Sequence, residues 1–204
     1  MLKIFPTEIF SFQCSDQDLI NNTLLNLKKE DWSNIENSSR CHQTICIRLD
    51  QKKEFKELYD WFQICLVGVL QFLKLNCDNI QITLSWGNKA FESENLLDHK
   101  HPNSYISGVF YLTDSNSRTV FRQYSSWSSF DGMRYVNFNP TKSANEFYFH
   151  NPKKGQLLIF PSSLSHSVEK NKEIKERFSI SFNAFPSGRI GDFGALSGLH
   201  IAIK

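Results

Sequence analysis

Arg177-Phe178-Ser179-Ile180-Ser181-Phe182-Asn183 reads as a strand with two unlike faces. Side chains alternate along an extended chain, so Phe178, Ile180 and Phe182 share one face, and Arg177, Ser179, Ser181 and Asn183 share the other. The apolar face calls for a packed layer. The polar face, turned into a closed sheet, puts a guanidinium in a dry interior, where it needs an anion to pair with.

The same period of two recurs outward from this stretch. Ile80, Ile82, Leu84 and Trp86 alternate with Gln81, Thr83 and Ser85 and predict a strand with one apolar face. Tyr105–Leu112, Glu146–Phe149, Gln156–Phe160 and an extension of the first stretch to Phe185 are further strand candidates. Residues 2–12 read as a strand, with Pro6 suggesting an edge. The segment 114–145 is rich in Ser, Asn and Arg, and weak strands are expected there at 118–123 and 134–138, joined by a long loop.

The period becomes helical in two places. Ser15 and Asp18 resemble a capping box ahead of a short helix to about Lys29 on Ile20, Leu24 and Leu27. Over about 52–75, Phe55, Leu58, Tyr59, Phe62, Leu66, Val69, Leu70 and Leu73 form one stripe. Two helices followed by many short strands predict an α+β domain, with helices packed outside a sheet closed on itself.

A length of 204 residues suits one such domain with a real core. The division expected is a helical flank at about 15–77, a barrel core at about 80–185 and a C-terminal extension at 186–204. A net charge of +2, with no basic tract, offers no argument for a nucleic-acid partner. Five cysteines, with no C-x-x-C spacing, give neither a disulfide framework nor a zinc site and read as reduced. The N-terminus has no signal-peptide core. The longest apolar stretch, 61–75, is broken by Gln63, Gln71 and Lys74 and is too short for a bilayer. A soluble cytoplasmic protein with no membrane partner is expected; the oligomeric state stays open.

Two stretches carry candidate chemistry. In Asp98-His99-Lys100-His101-Pro102, the histidines at i and i+2 of an extended segment point the same way, roughly 7 Å apart at Cα, and can share a metal. Phe160-Pro161-Ser162-Ser163-Leu164-Ser165-His166 adds a histidine after an apolar strand. Alone, each has an ordinary surface or packing explanation; the force lies in the order His-x-His, strand, gap, His, then Arg-x-Ser eleven residues on. His42, His150 and His200 are left over, the first two with ordinary surface or core roles. Trp86 and Asn88 could line a pocket, with core packing the plain alternative for Trp86.

That order resembles the 2-oxoglutarate/iron(II) oxygenase superfamily, and more narrowly a family of prolyl-hydroxylase-like oxygenases found in bacteria and their phages. The matching pieces are Ser85-Trp86-Gly87-Asn88, His99-Lys100-His101-Pro102-Asn103-Ser104, Ser107–Leu112, Pro152–Gly155, Phe160-Pro161-Ser162 with His166-Ser167-Val168, and Arg177–Asn183, spanning about half the chain. The resemblance implies a double-stranded β-helix, a jelly-roll or cupin-like barrel. It implies Fe(II) on His99, His101 and His166, with no catalytic residue beyond that metal site. Arg177 and Ser179, with Tyr111, would bind the remote carboxylate of the cosubstrate 2-oxoglutarate, and Asn88 and Trp86 its pocket. O2 would be the oxidant, with succinate and CO2 as products and a small molecule or a protein residue as the hydroxylated substrate.

One departure stands out. His101 occupies a position where the superfamily usually has a carboxylate. Asp98 could substitute, but i and i+3 do not share a face on an extended segment. Two other readings are a three-histidine cupin-like dioxygenase without 2-oxoglutarate and an inactive barrel serving as a binding module. Arg118, Tyr124, Arg122, Trp127, Arg134 and Tyr135 in the 114–145 segment would suit a peptide or an anionic metabolite.

Overall fold

The computed structural model describes residues 7–34, 41–122, 147–194 and 196–203. Their elements are β1 (Phe10–Gln13), α1 (Gln17–Leu27), β2 (Trp32–Asn34), β3 (His42–Thr44), α2 (Lys56–Leu73), β4 (Cys77–Ala90), β5 (Leu96–His99), β6 (Ile106–Tyr111), β7 (Thr119–Arg122), β8 (Phe147–His150), β9 (Gln156–Pro161), β10 (Ser165–Val168), β11 (Arg177–Ile190) and β12 (Leu199–Ile201). The larger sheet runs β1-β9-β6-β11-β4-β3-β2, with β12 added to β11. The smaller runs β5-β10-β7-β8. This is the double-stranded β-helix that the resemblance implies, with the helices outside the sheet as the strand and helix pattern predicts.

β11 explains the layering. It pairs antiparallel with β4 on one side and β6 on the other. Its Phe178, Ile180 and Phe182 join Leu58, Phe62 and Leu66 of α2 and Ile20 and Leu27 of α1 in the main core. Its Arg177, Ser179 and Ser181 line a cavity on the other face. β9 is apolar on both faces because both are covered: Leu157 and Ile159 enter the main core, while Leu158 and Phe160 pack with Tyr111 and Phe121 in a second cluster.

Several sequence expectations are corrected. The first strand is Phe10–Gln13 rather than 2–12, of which residues 2–6 lie outside the described residues. The cap of α1 is Asp16, whose carboxylate accepts the Leu19 N–H at 2.9 Å, so the Ser15/Asp18 box does not form. The second helix begins only at Lys56, because 49–51 and 53–55 form separate 3-10 turns. Residues 186–190, expected in an extension, continue β11, and β12 pairs with them. Strands β2, β3, β5, β10 and β12 were not predicted; all have three or four residues, too few to show a period. The strand expected at 134–138 lies outside the described residues.

The most consequential correction concerns β4. Its register against β11 shifts between Ile82↔Ala184 and Leu84↔Asn183, so Thr83 is an extra residue. A bulge of this kind reverses the faces beyond it. Ile80 and Ile82 pack toward the helices. Leu84 is 38% exposed, and Trp86 and Asn88 turn into the cavity. Ser85 now faces the helical side, where its hydroxyl donates to Asp50 Oδ1 at 2.7 Å. The single apolar face read from the alternation is therefore two half-faces.

Candidate metal centre

β5 and β10 hydrogen-bond in the smaller sheet with His99 directly opposite His166. Two residues beyond His99, the backbone N–H of His101 donates to Ser162 O at 3.0 Å, which turns that imidazole toward the same point. The ring centroids lie 5.0 Å (His99–His101), 4.3 Å (His99–His166) and 5.1 Å (His101–His166) apart. One ligand atom from each lies within 4.8 Å of the others.

The protonation pattern is set by the backbone. His99 Nδ1 is 2.8 Å from Leu97 O, and His166 Nδ1 is 3.0 Å from Leu164 O. A carbonyl only accepts, so both Nδ1 atoms carry a proton, which leaves Nε2 of each ring as the atom that would meet a metal. Burial, with the His99 charge adding to it, pushes His101 down to about 4 and His166 down to about 3. Both are thus neutral near pH 7, and no proton competes for the lone pairs. His101 Nε2 and His166 Nε2 are 3.2 Å apart. Two imidazole nitrogens bound side by side to one first-row ion at about 2.1 Å sit roughly 3 Å apart, so the donor set fits a metal. Asp98 is exposed and is not among the converging groups.

The cavity beside this cluster has a volume of about 480 Å³. Arg177 lines it and is 9% exposed. Among the described residues its guanidinium donates only to Glu169 O, at 3.4 Å, and no carboxylate lies within salt-bridge distance. Burial lowers its pKa, yet a guanidinium stays charged. A buried cation with unmet donors is a receptor for an anion. Ser179 is buried next to it on the same face. The Tyr111 hydroxyl is 2.7 Å from Thr119 Oγ1, and burial raises its pKa.

Trp86 and Asn88 line the cavity too, but the Asn88 amide is turned to protein partners. Its Oδ1 accepts from Trp86 Nε1 at 3.1 Å and Gln43 Nε2 at 3.2 Å, and its Nδ2 donates to Ser181 Oγ at 2.9 Å. Sequence reasoning missed Thr119, Cys41 and Gln43 in the cavity wall. The alternation in 118–123 does pair Thr119 with Phe121 on one face, but nothing local says which face turns inward. His150, read as ordinary, stacks on Tyr111 with centroids 6.2 Å apart and bonds Gln156 Oε1 at 2.9 Å. Arg118, expected to face substrate, is instead ion-paired to Glu169 at 2.6 Å and lies over Phe149. Arg122 lies over Phe147. Tyr124, Trp127, Arg134 and Tyr135 lie outside the described residues.

Comparison with known proteins agrees with this geometry. Among curated proteins none matches the sequence. The solved structures that resemble it include a prolyl-4-hydroxylase of Pseudomonas putida, 14% identical, with 89% of this chain and 94% of that one covered and a TM-score of 0.63. HygX of Streptomyces hygroscopicus, solved with nickel, 2-oxoglutarate and hygromycin B, is 12% identical, with 88% and 83% covered and a TM-score of 0.61. A viral collagen prolyl hydroxylase of Paramecium Bursaria Chlorella virus-1, solved with 2-oxoglutarate, is 13% identical, with 86% and 94% covered and a TM-score of 0.55. At such identities these likenesses establish the fold. Residues 84–183, which hold the three histidines and the Arg177–Asn183 strand, match the family described as "Putative 2OG-Fe(II) oxygenase".

Proposed function

We propose that this Fe(II)- and 2-oxoglutarate-dependent oxygenase holds its metal on His99, His101 and His166 and hydroxylates a small molecule or a protein residue. The observation that carries the reading is the meeting, in one cavity, of three imidazoles and a buried guanidinium that has no carboxylate partner among the described residues. Iron bound there supplies the redox chemistry by which O2 and 2-oxoglutarate give succinate, CO2 and a hydroxylated product.

The chain's own groups do the rest. His99 and His166 keep their protons on Nδ1 and offer Nε2. Arg177 takes the far carboxylate of 2-oxoglutarate with two parallel N–H donors, and Ser179 adds a hydroxyl beside it. Tyr111, already bonded to Thr119, lends its hydroxyl to the same end of the cosubstrate. Phe160 and Val109 close the apolar wall and exclude water, which strengthens each of these contacts. No helix among the described residues is long and apolar enough to cross a membrane. A cytoplasmic setting, with the cysteines reduced, suits the ferrous state. The substrate classes rest on analogy of fold with the hydroxylases above.

The test is succinate release from 2-oxoglutarate with Fe(II) and ascorbate and no added substrate. Uncoupled turnover, lost in His166→Ala, is expected. Tight iron binding indifferent to 2-oxoglutarate would replace this reading with the three-histidine cupin-like dioxygenase. Absence of iron binding would leave a barrel acting as a binding module.

A further inference from the structure

We infer that Asn88 is a positioning residue: its amide anchors the Trp86 indole, and the indole fixes the His101 imidazole. This rests on the reading of His99, His101 and His166 as a metal centre.

The three histidines are not held alike. His99 and His166 each have Nδ1 tied to a backbone carbonyl two residues earlier. Among the described residues no protein group is bonded to His101 Nδ1. Its ring packs instead against Trp86, with centroids 5.7 Å apart at 49°. An imidazole lacking the usual outer hydrogen bond keeps its orientation only as well as its neighbours do. That neighbour is fixed at its polar end, where Trp86 Nε1 donates to Asn88 Oδ1 at 3.1 Å.

Asn88 is braced across three strands. Gln43 on β3 donates to its Oδ1, and its Nδ2 donates to Ser181 Oγ on β11. The registers Gln43↔Asn88 and Ser181↔Trp86 place these groups side by side. Both lone-pair directions of Oδ1 and one of the two Nδ2 hydrogens are thereby used. An amide so occupied has one donor left for a cosubstrate, whereas its hold on Trp86 is already made. The bulge at Thr83 is what turns Trp86 and Asn88 to this face together.

The experiment measures Co(II) binding to the full chain by visible absorption, and 2-oxoglutarate binding by calorimetry at saturating Mn(II). The variants are Asn88→Leu, Asn88→Asp, Trp86→Leu and the double variant Asn88→Leu/Trp86→Leu. Asn88→Leu should weaken Co(II) binding about 10-fold, the low end for loss of an outer-shell partner, and alter the Co(II) spectrum. Asn88→Asp keeps the acceptor for the indole N–H and should retain affinity within about 3-fold. Trp86→Leu should weaken Co(II) as Asn88→Leu does, and the double variant no further, because both act through one path. 2-Oxoglutarate affinity at saturating metal should change less than Co(II) affinity. The inference is overturned by parental Co(II) affinity in Asn88→Leu, by additive losses in the double variant, or by a larger loss for 2-oxoglutarate than for metal, which would make Asn88 a cosubstrate contact. If Asn88→Leu does not fold, parental Co(II) binding and spectrum in Trp86→Leu overturn it equally. Failure of the unaltered chain to bind Co(II) would instead overturn the metal centre itself.

Discussion

At the scale of single residues, Arg177 is the group whose state asks most for a ligand. Holding a charge at 9% exposure with one long bond to a carbonyl is costly, and an arriving dicarboxylate removes much of that cost. Arg177→Ala should lose about 2–5 kcal/mol of 2-oxoglutarate binding, as for one partner of a buried charge pair. Metal binding should persist, and pyruvate, which has no remote carboxylate, should bind parent and variant alike. Calorimetry with Mn(II) in place of iron prevents turnover and measures all three; equal 2-oxoglutarate affinities would sink the assignment. Tyr111→Phe is a finer probe. It removes one hydroxyl and strands that of Thr119, so about 1–2 kcal/mol of cosubstrate binding should go while Co(II) affinity stays. Unchanged 2-oxoglutarate affinity would place Tyr111 outside the subsite.

At the scale of elements, close approach and a polar tie fix how the layers meet. Gly108 on β6 lies opposite Phe182 on β11, and a Cβ there would run into the Phe182 ring, itself fully buried against Phe62. Gly108→Ala should cost about 1–3 kcal/mol, seen as a lower urea midpoint with unchanged slope. An unaltered midpoint would mean that the ring yields freely. The tie runs from the turn at 49–51 to β4. Burial pushes the Asp50 carboxyl up, but hydrogen bonds from Arg48 and Ser85 outweigh it and hold it below the ordinary carboxylate range. A lowered folded pKa means that the stability it adds is present above the unfolded value, about 3.9, and is lost as pH falls through the folded value. Asp50→Asn should therefore lower the melting temperature at pH 7 and narrow the gap to the parent below pH 4. A gap that does not change between pH 7 and pH 3 would exclude this role.

At the scale of the whole molecule, ligands that bind only the folded barrel stabilise all of it. Metal at 100 times its dissociation constant should add about 2.7 kcal/mol, or roughly 5–10 °C in melting temperature for a chain this long. 2-Oxoglutarate should add a further rise only when metal is present. His166→Ala should abolish both increments, and Arg177→Ala only the second; a metal shift surviving in His166→Ala would refute the triad. What the sequence alone determined follows from local periodicity. The α2 stripe, the two-faced Arg177–Asn183 strand and the doubly apolar Leu157–Phe160 run each declare their faces, because side-chain direction there depends only on residue spacing. That His99 and His101 point the same way was legible from the same spacing, whereas the grouping of His166 and Arg177 with them came from the resemblance. What only the tertiary structure decided lies where a distant partner sets the geometry. The bulge at Thr83 exists only against β11, and it alone sends Trp86 and Asn88 into the cavity and Ser85 toward Asp50. Gln43 reaches the cavity through a strand too short to carry a pattern, Thr119 through one whose alternation does not say which face turns inward, and Arg118 meets Glu169 across 51 residues of chain. Periodicity says which side chains share a face, but which face turns inward is settled by what packs against it.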